Sequence, residues 1–169
     1  LSVAAQLSGR VTSATTQQPL AGISVTAVLW INSSWGASQH ATTDSNGEYT
    51  ITGLMPGTYR VFFTDYTQTH STEYYDNAPS IASATDIPVA SQAHITGIDA
   101  ALESASSIAG TVTALGGSPV LANISVQAFR WDGAKWAWAG WAETDAAGNY
   151  TFNGLAAGEY RLQFHDQSG

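Results

Sequence analysis

The sequence predicts an all-β chain of two tandem β-sandwiches, the second lacking its final strand or strands. Three observations predict it: apolar residues alternate with period 2 rather than 3.6, turn signals recur every ~8–12 residues, and one module is written twice. Asp44-Ser-Asn-Gly47-Glu-Tyr49, Gly53-Leu54 and Gly57-Thr-Tyr59-Arg60 return as Asp145-Ala-Ala-Gly148-Asn-Tyr150, Gly154-Leu155 and Gly158-Glu-Tyr160-Arg161, an offset of 101 residues. The same offset carries Gly9 to Gly110, Ile23-Ser-Val25 to Ile124-Ser-Val126, Trp30 to Trp131, Trp35 to Trp136 and Asp65 to Asp166, with no insertion. The expected domains are a first sandwich with an N-terminal extension over residues 1–104 and a second, incomplete one over residues 105–169.

Each element follows from this pattern. Ile23, Val25, Ala27, Leu29 and Ile31 share one face of a strand, and Ser24, Thr26, Val28 and Trp30 share the other. Asp44 to Gly47 and Asp145 to Gly148 read as hairpin turns in which the Asp caps the turn and the Gly takes positive φ. Gly53 to Gly57 and Gly154 to Gly158 bracket the next turn, after which Tyr59, Val61 and Phe63 alternate with Arg60, Phe62 and Thr64. Tyr74-Tyr75, Ile87-Pro88-Val89 and His94 to Leu102 read as closing strands of the first copy. No helix is expected.

Composition narrows the partners. The 169 residues carry five Lys and Arg against thirteen Asp and Glu, a net charge of −8, so a phosphate backbone or an anionic bilayer is repelled. Nucleic acid is excluded as a partner, and so is membrane insertion, since no window approaches eighteen apolar residues. With no cysteine there is no disulfide and no thiol chemistry. The chain begins at Leu1 rather than Met, as a mature or excised polypeptide would.

The strings Ser8-Gly9-Arg10-Val11-Thr12, Pro19-Leu20-Ala21-Gly22-Ile23-Ser24-Val25, Thr43-Asp44-Ser45-Asn46-Gly47-Glu48-Tyr49 and Gly53-Leu54-Met55-Pro56-Gly57-Thr58-Tyr59 together resemble the carboxypeptidase regulatory-like domain. That resemblance implies an immunoglobulin-like, transthyretin-like β-sandwich of the kind repeated in secreted and cell-surface bacterial proteins and close to the B-type repeats of surface adhesins. Glu73-Tyr74-Tyr75-Asp76-Asn77-Ala78 is similar to the later part of such bacterial repeats. The resemblance implies an extracellular or cell-surface spacer, adhesive or accessory module, not an enzyme, and brings no catalytic residues.

Copy two stops at Gly169, before any counterpart of the last strand of copy one, which leaves unpaired backbone beside an open core. Val3-Ala-Ala5-Gln-Leu7 repeats the spacing of Ile98-Asp-Ala100-Ala-Leu102, an apolar row at the first, third and fifth residues. Donation of Leu1, Val3, Ala5 and Leu7 from one chain to the core of the next around Ile124, Val126, Tyr160 and Leu162 makes a head-to-tail homopolymer, a filament when the contact does not close into a ring. An arbitrary cut or frayed ends account for the same pattern without assembly.

Trp30 and Trp131 fall on the strand face opposite the core, with Trp35, Trp136 and Trp138 following across a short turn and Trp141 beyond. Such neutral aromatics pack against a neighbouring subunit, stack on sugar rings, or are covered by loops. His40, His70, His94 and His165 have no metal-ligand spacing, no G-x-S-x-G elbow is present, and no glycine loop precedes a helix, so no catalytic residue, metal or cofactor is assigned. Asp44, Asn46 and Glu48 suggest an oxygen shell for calcium, but Ala147 breaks it in copy two and a hairpin turn explains both. Asn32, Asn123 and Asn149 head N-x-[ST] triplets, acceptor patterns for glycosylation.

The expected function is a non-enzymatic structural subunit of an extracellular filament. The alternative is a glycan-binding or spacer module of a larger secreted enzyme or adhesin, with carbohydrate as partner.

Overall fold

The computed structural model describes residues 4–166, and its regular elements are all strands. The chain forms two compact units, Leu1–Ser104 and Ala105–Gly169. In the first, the strands are β1 (Ala5–Ser13), β2 (Ser24–Ile31), β3 (Ser34–Thr42), β4 (Glu48–Leu54), β5 (Gly57–Thr64), β6 (Glu73–Tyr74), β7 (Ile87–Val89), β8 (His94–Ile95) and β9 (Ala100–Leu102). One sheet runs β4-β1-β8, with β9 also pairing β1; the other runs β3-β2-β5-β6, with β7 on β5.

Strand parity decides what is buried. Val25, Ala27 and Leu29 of β2 and Tyr59, Val61 and Phe63 of β5 turn inward, and Leu7, Val11, Tyr49 and Ile51 of the opposite sheet meet them in one core. Ile87, Val89, Ile98, Ala100 and Leu102 close that core, so the residues after Thr64 are part of the sandwich. Opposite Ala5 and Leu7, the register of β4 jumps from Leu54 to Ile51, a bulge in which Gly53 adopts φ +75°.

The turn from Asp44 to Gly47 has the expected chemistry. Asp44 Oδ1 accepts hydrogen bonds from the Asn46 and Glu48 amides at 2.8 and 2.9 Å, and Gly47 adopts φ +75°. Asp145 Oδ1 repeats it with the Ala147 and Asn149 amides, both at 2.9 Å. These carboxylates serve backbone turns, and no group of three or more His, Cys, Asp or Glu among the described residues is placed to hold a metal.

The second unit contains β10 (Ser106–Thr111), β11 (Ile124–Trp131), β12 (Trp136–Glu143), β13 (Asn149–Leu155) and β14 (Tyr160–Asp166), arranged as β10-β13 and β12-β11-β14. By the 101-residue offset these are the counterparts of β1 to β5, and counterparts of β6 to β9 are missing among the described residues. Its core cluster is small: Val126, Ala128, Phe152 and Leu155, with partly buried residues packed around them.

Ala5 and Leu7 do not form a free row: both are buried in their own sandwich, where β1 is a central strand with β4 on one side and β8 and β9 on the other. Ala5 and Leu7 line the same core as Ile98, Ala100 and Leu102. Leu1 and Val3 lie outside the described residues. On the acceptor side, Ile124 and Val126 are already buried within the second unit, whereas Tyr160 and Leu162 are only partly covered. Both partly covered residues lie on β14, the strand that also carries the exposed Phe164.

Candidate functional site

Two arrangements stand out, one on the outer face of each β2-type sheet and one on the uncovered side of the second unit. In the first, the β2–β3 connection turns through Asn32 and Ser33, both at positive φ (51° and 63°), which sets Trp30 directly opposite Trp35. Their ring centroids are 4.8 Å apart and tilted by 59°. Arg60, from the neighbouring strand β5, places its guanidinium carbon 4.6 Å from the Trp35 centroid. That guanidinium is fixed from behind: Nε donates to Asp86 Oδ1 at 2.6 Å, and Nη1 to the carbonyls of Ile81 and Ala82 at 2.6 and 2.7 Å.

The second unit repeats the cluster through a different turn. Asp132 Oδ1 accepts from the Ala134 and Lys135 amides at 2.9 and 2.8 Å, and these hydrogen bonds hold its carboxyl below the ordinary range. Trp131 then faces Trp136 at 5.3 Å, and the Arg161 guanidinium lies 4.2 Å from the Trp136 centroid. Trp30 and Trp131 are 46 % and 38 % exposed. Trp35 and Trp136, expected on the exposed platform, are instead half-buried between the outer tryptophan and the arginine. Trp138 stands apart at 67 % exposure, and Trp141 donates its indole N–H to Ser125 Oγ at 2.7 Å. The arginines were missed as site residues, although the repeat carries Arg60 to Arg161 with the tryptophans.

The second arrangement emerges from equivalent positions. Phe63 is fully buried, and its counterpart Phe164 is 47 % exposed. Leu7, Tyr49, Tyr59 and Val61 are buried, while Ile108, Tyr150, Tyr160 and Leu162 are only partly covered. Phe164 and Tyr150 meet edge-on at 5.7 Å on this side. Arg130 stands where copy one has Leu29; its Nη2 donates to the Ala157 carbonyl at 2.8 Å, and its buried Nε has no hydrogen-bond partner.

The glycosylation triplets are all at accessible asparagines. Asn32 sits in the β2–β3 turn, Asn123 precedes β11 with φ 57°, and Asn149 opens β13, accepting a hydrogen bond from Thr111 Oγ1 at 2.7 Å.

A family model, the carboxypeptidase regulatory-like domain, matches residues 6–102. No curated protein matches the sequence. Among solved structures the chain is similar to a streptococcal ancillary pilin, with a TM-score of 0.43, 13 % identity and coverage of 97 % of this chain and 54 % of that one. It is similar to the minor pilin of Streptococcus agalactiae, with a TM-score of 0.40, 14 % identity and coverage of 97 % and 84 %. For the shaft pilin of Lactobacillus rhamnosus GG the values are 0.36, 12 %, 98 % and 88 %. The chain spans about half the length of the first of these.

Proposed function

We propose that this chain, which belongs to the carboxypeptidase regulatory-like domain family, is a non-enzymatic structural subunit of an extracellular or cell-surface filament. In this reading a neighbouring copy completes the second unit with an apolar extended strand. The observation that carries it is the exposure of Phe164 where Phe63 is fully buried. A β-sandwich that leaves its closing side open exposes both apolar surface and unpaired backbone, and an added strand covers both at once. Covering Phe164 alone contributes on the order of 1–2 kcal/mol.

Residues 5–7 are held in place by their own sandwich. Withdrawing residues 5–7 from the first unit would uncover Leu7, a cost of roughly 1.5–3 kcal/mol, and break the pairing of β1 with both neighbours. Ile98, Ala100 and Leu102 are equally buried in the first unit, so they show the apolar spacing that a closing strand needs and are not themselves the donor.

Extending the chain after Gly169 with a copy of residues 69–104 keeps the 101-residue offset and offers the second unit its closing strands in cis. The unextended chain is then expected to form concentration-dependent oligomers or fibres by light scattering and negative-stain microscopy, and the extended chain to stay monomeric. Monomers in both cases would sink the filament reading and favour a spacer. The second reading, a glycan-binding or spacer module of a larger secreted enzyme or adhesin, is supported by the duplicated tryptophan–arginine cluster.

A further inference from the structure

We infer that the groove beside Trp30 in the first unit is a binding site for neutral pyranose sugars, with Trp30 as the stacking surface and Arg60 and Asp86 as the pair that reads the hydroxyls. The inference deepens the glycan-binding reading above and is independent of how the second unit is completed. The groove has a volume of about 410 Å³ and is lined by Trp30, Trp35, Thr58, Arg60, Ala82 and Asp86. That is within the range of small-ligand clefts, and the lining has their character: large aromatic surface with a few convergent polar groups.

The polar groups are held in place before any ligand arrives. Arg60 is pinned by the Ile81 and Ala82 carbonyls through Nη1 and by Asp86 through Nε, which leaves its Nη2 donors without a hydrogen-bond partner among the described residues. Asp86 uses Oδ1 for Arg60, its side chain is more than half exposed, and no hydrogen bond to its second oxygen is present among the described residues. A pyranose presents C–H groups on its face and hydroxyls at its rim. The face matches an exposed indole, and the hydroxyls match a fixed donor beside a fixed acceptor. Because Arg60 and Asp86 neutralise each other, the site has no net charge to attract an acidic sugar, and the chain's overall charge of −8 opposes one.

The second unit supplies an internal control. Arg161 covers Trp136 as Arg60 covers Trp35, but Arg161 is exposed and has no carboxylate partner among the described residues. Among the described residues the donor–acceptor pair is present in the first cluster and not in the second.

The test is an array of immobilised neutral gluco-, manno-, xylo- and galacto-oligosaccharides, with oligogalacturonates as the acidic comparison, probed with the full chain. At least one neutral class is expected to bind. Trp30→Ala and Asp86→Ala should each weaken that binding by ~10-fold or more, and Trp131→Ala should leave it unchanged. Trp30→Ala removes half of a cross-strand pair, so Asp86→Asn, at an exposed loop position, serves as the variant that keeps the fold while altering the acceptor. The inference is overturned if no neutral class binds, if only the oligogalacturonates bind, or if binding survives both Asp86 variants.

Discussion

Tyr49 donates its hydroxyl hydrogen to the carbonyl oxygen of Ile98 across 2.6 Å, in the buried interior of the first unit. Burial, with Asp99 and Tyr75 nearby, pushes that hydroxyl well above the ordinary tyrosine range, so it acts as a donor throughout the accessible pH range. The same carbonyl explains Gly9, because a Cβ there would lie 2.0 Å from the Ile98 oxygen. Copy two keeps both residues, as Tyr150 and Gly110, where the atoms nearest a Cβ on Gly110 are those of the Tyr150 ring and hydroxyl, at 2.6 to 3.0 Å.

The paired glycines are expected to respond unequally to alanine. Gly9→Ala drives a methyl into backbone and should destabilise the first unit by more than about 3 kcal/mol. Gly110→Ala displaces the far end of one side chain and should cost less than about 1 kcal/mol in the unextended chain, yet prevent closure in the extended one. Hydrogen exchange in β1 and β10 measures both.

Removing the tyrosine hydroxyl separates the copies in the same way. Tyr49→Phe leaves the Ile98 carbonyl without its donor and should cost roughly 1–3 kcal/mol. Tyr150→Phe should be neutral in the unextended chain, where its hydroxyl has no hydrogen-bond partner among the described residues. Equal losses in denaturant melts would contradict the assignment of Tyr150 as an unfilled donor.

Glu73 gives the first unit an alkaline weakness. Burial and the neighbouring Glu103 push its carboxyl up to about 7, above its ordinary value of 4.5. A carboxyl that holds its proton longer in the folded state loses stability as pH rises between those two values, since the unfolded chain has already released the proton. Thermal melts should show the first unit less stable above pH 7 than near pH 5, and Glu73→Gln should flatten that slope.

Asp65 acts in the opposite direction. Its burial raises the carboxyl pKa, but hydrogen bonds from Thr67, Thr69 and His70 outweigh this and hold it well below the ordinary range. Its contribution is therefore present above the unfolded carboxylate pKa, ~4, and disappears as pH falls through and below it. Asp65→Asn should lower stability at neutral pH and make the acid limb of the stability profile shallower. An unchanged acid limb would mean that this carboxylate is not the group protonated there.

Much of the fold was legible in sequence because period-2 alternation and turn chemistry are local. Val25, Ala27 and Leu29 are inward as their parity required, and Asp44 caps its turn. Strand pairing was less legible, because it is not written in any one segment. The row Ala5-x-Leu7 has the pattern of an added strand, but nothing local shows that β4, β8 and β9 already flank it. At the tryptophan clusters, the aromatics were visible from parity. Arg60 reaches Trp35 only through the β2–β5 neighbour relation, and Asp86 enters from a loop after the repeated core, so neither had a local signal.

The parallel pairing of β1 with β9 joins the beginning of the first unit to its end, Val11 beside Ala100 and Ser13 beside Leu102. Tension pulling those ends apart acts along the strands and loads their hydrogen bonds together in shear, so that they must fail as a group. In the second unit β10 has only its antiparallel partner β13 among the described strands. The described residues of that unit form no such clamp, and under load they should rupture at lower force unless a closing strand supplies a parallel neighbour.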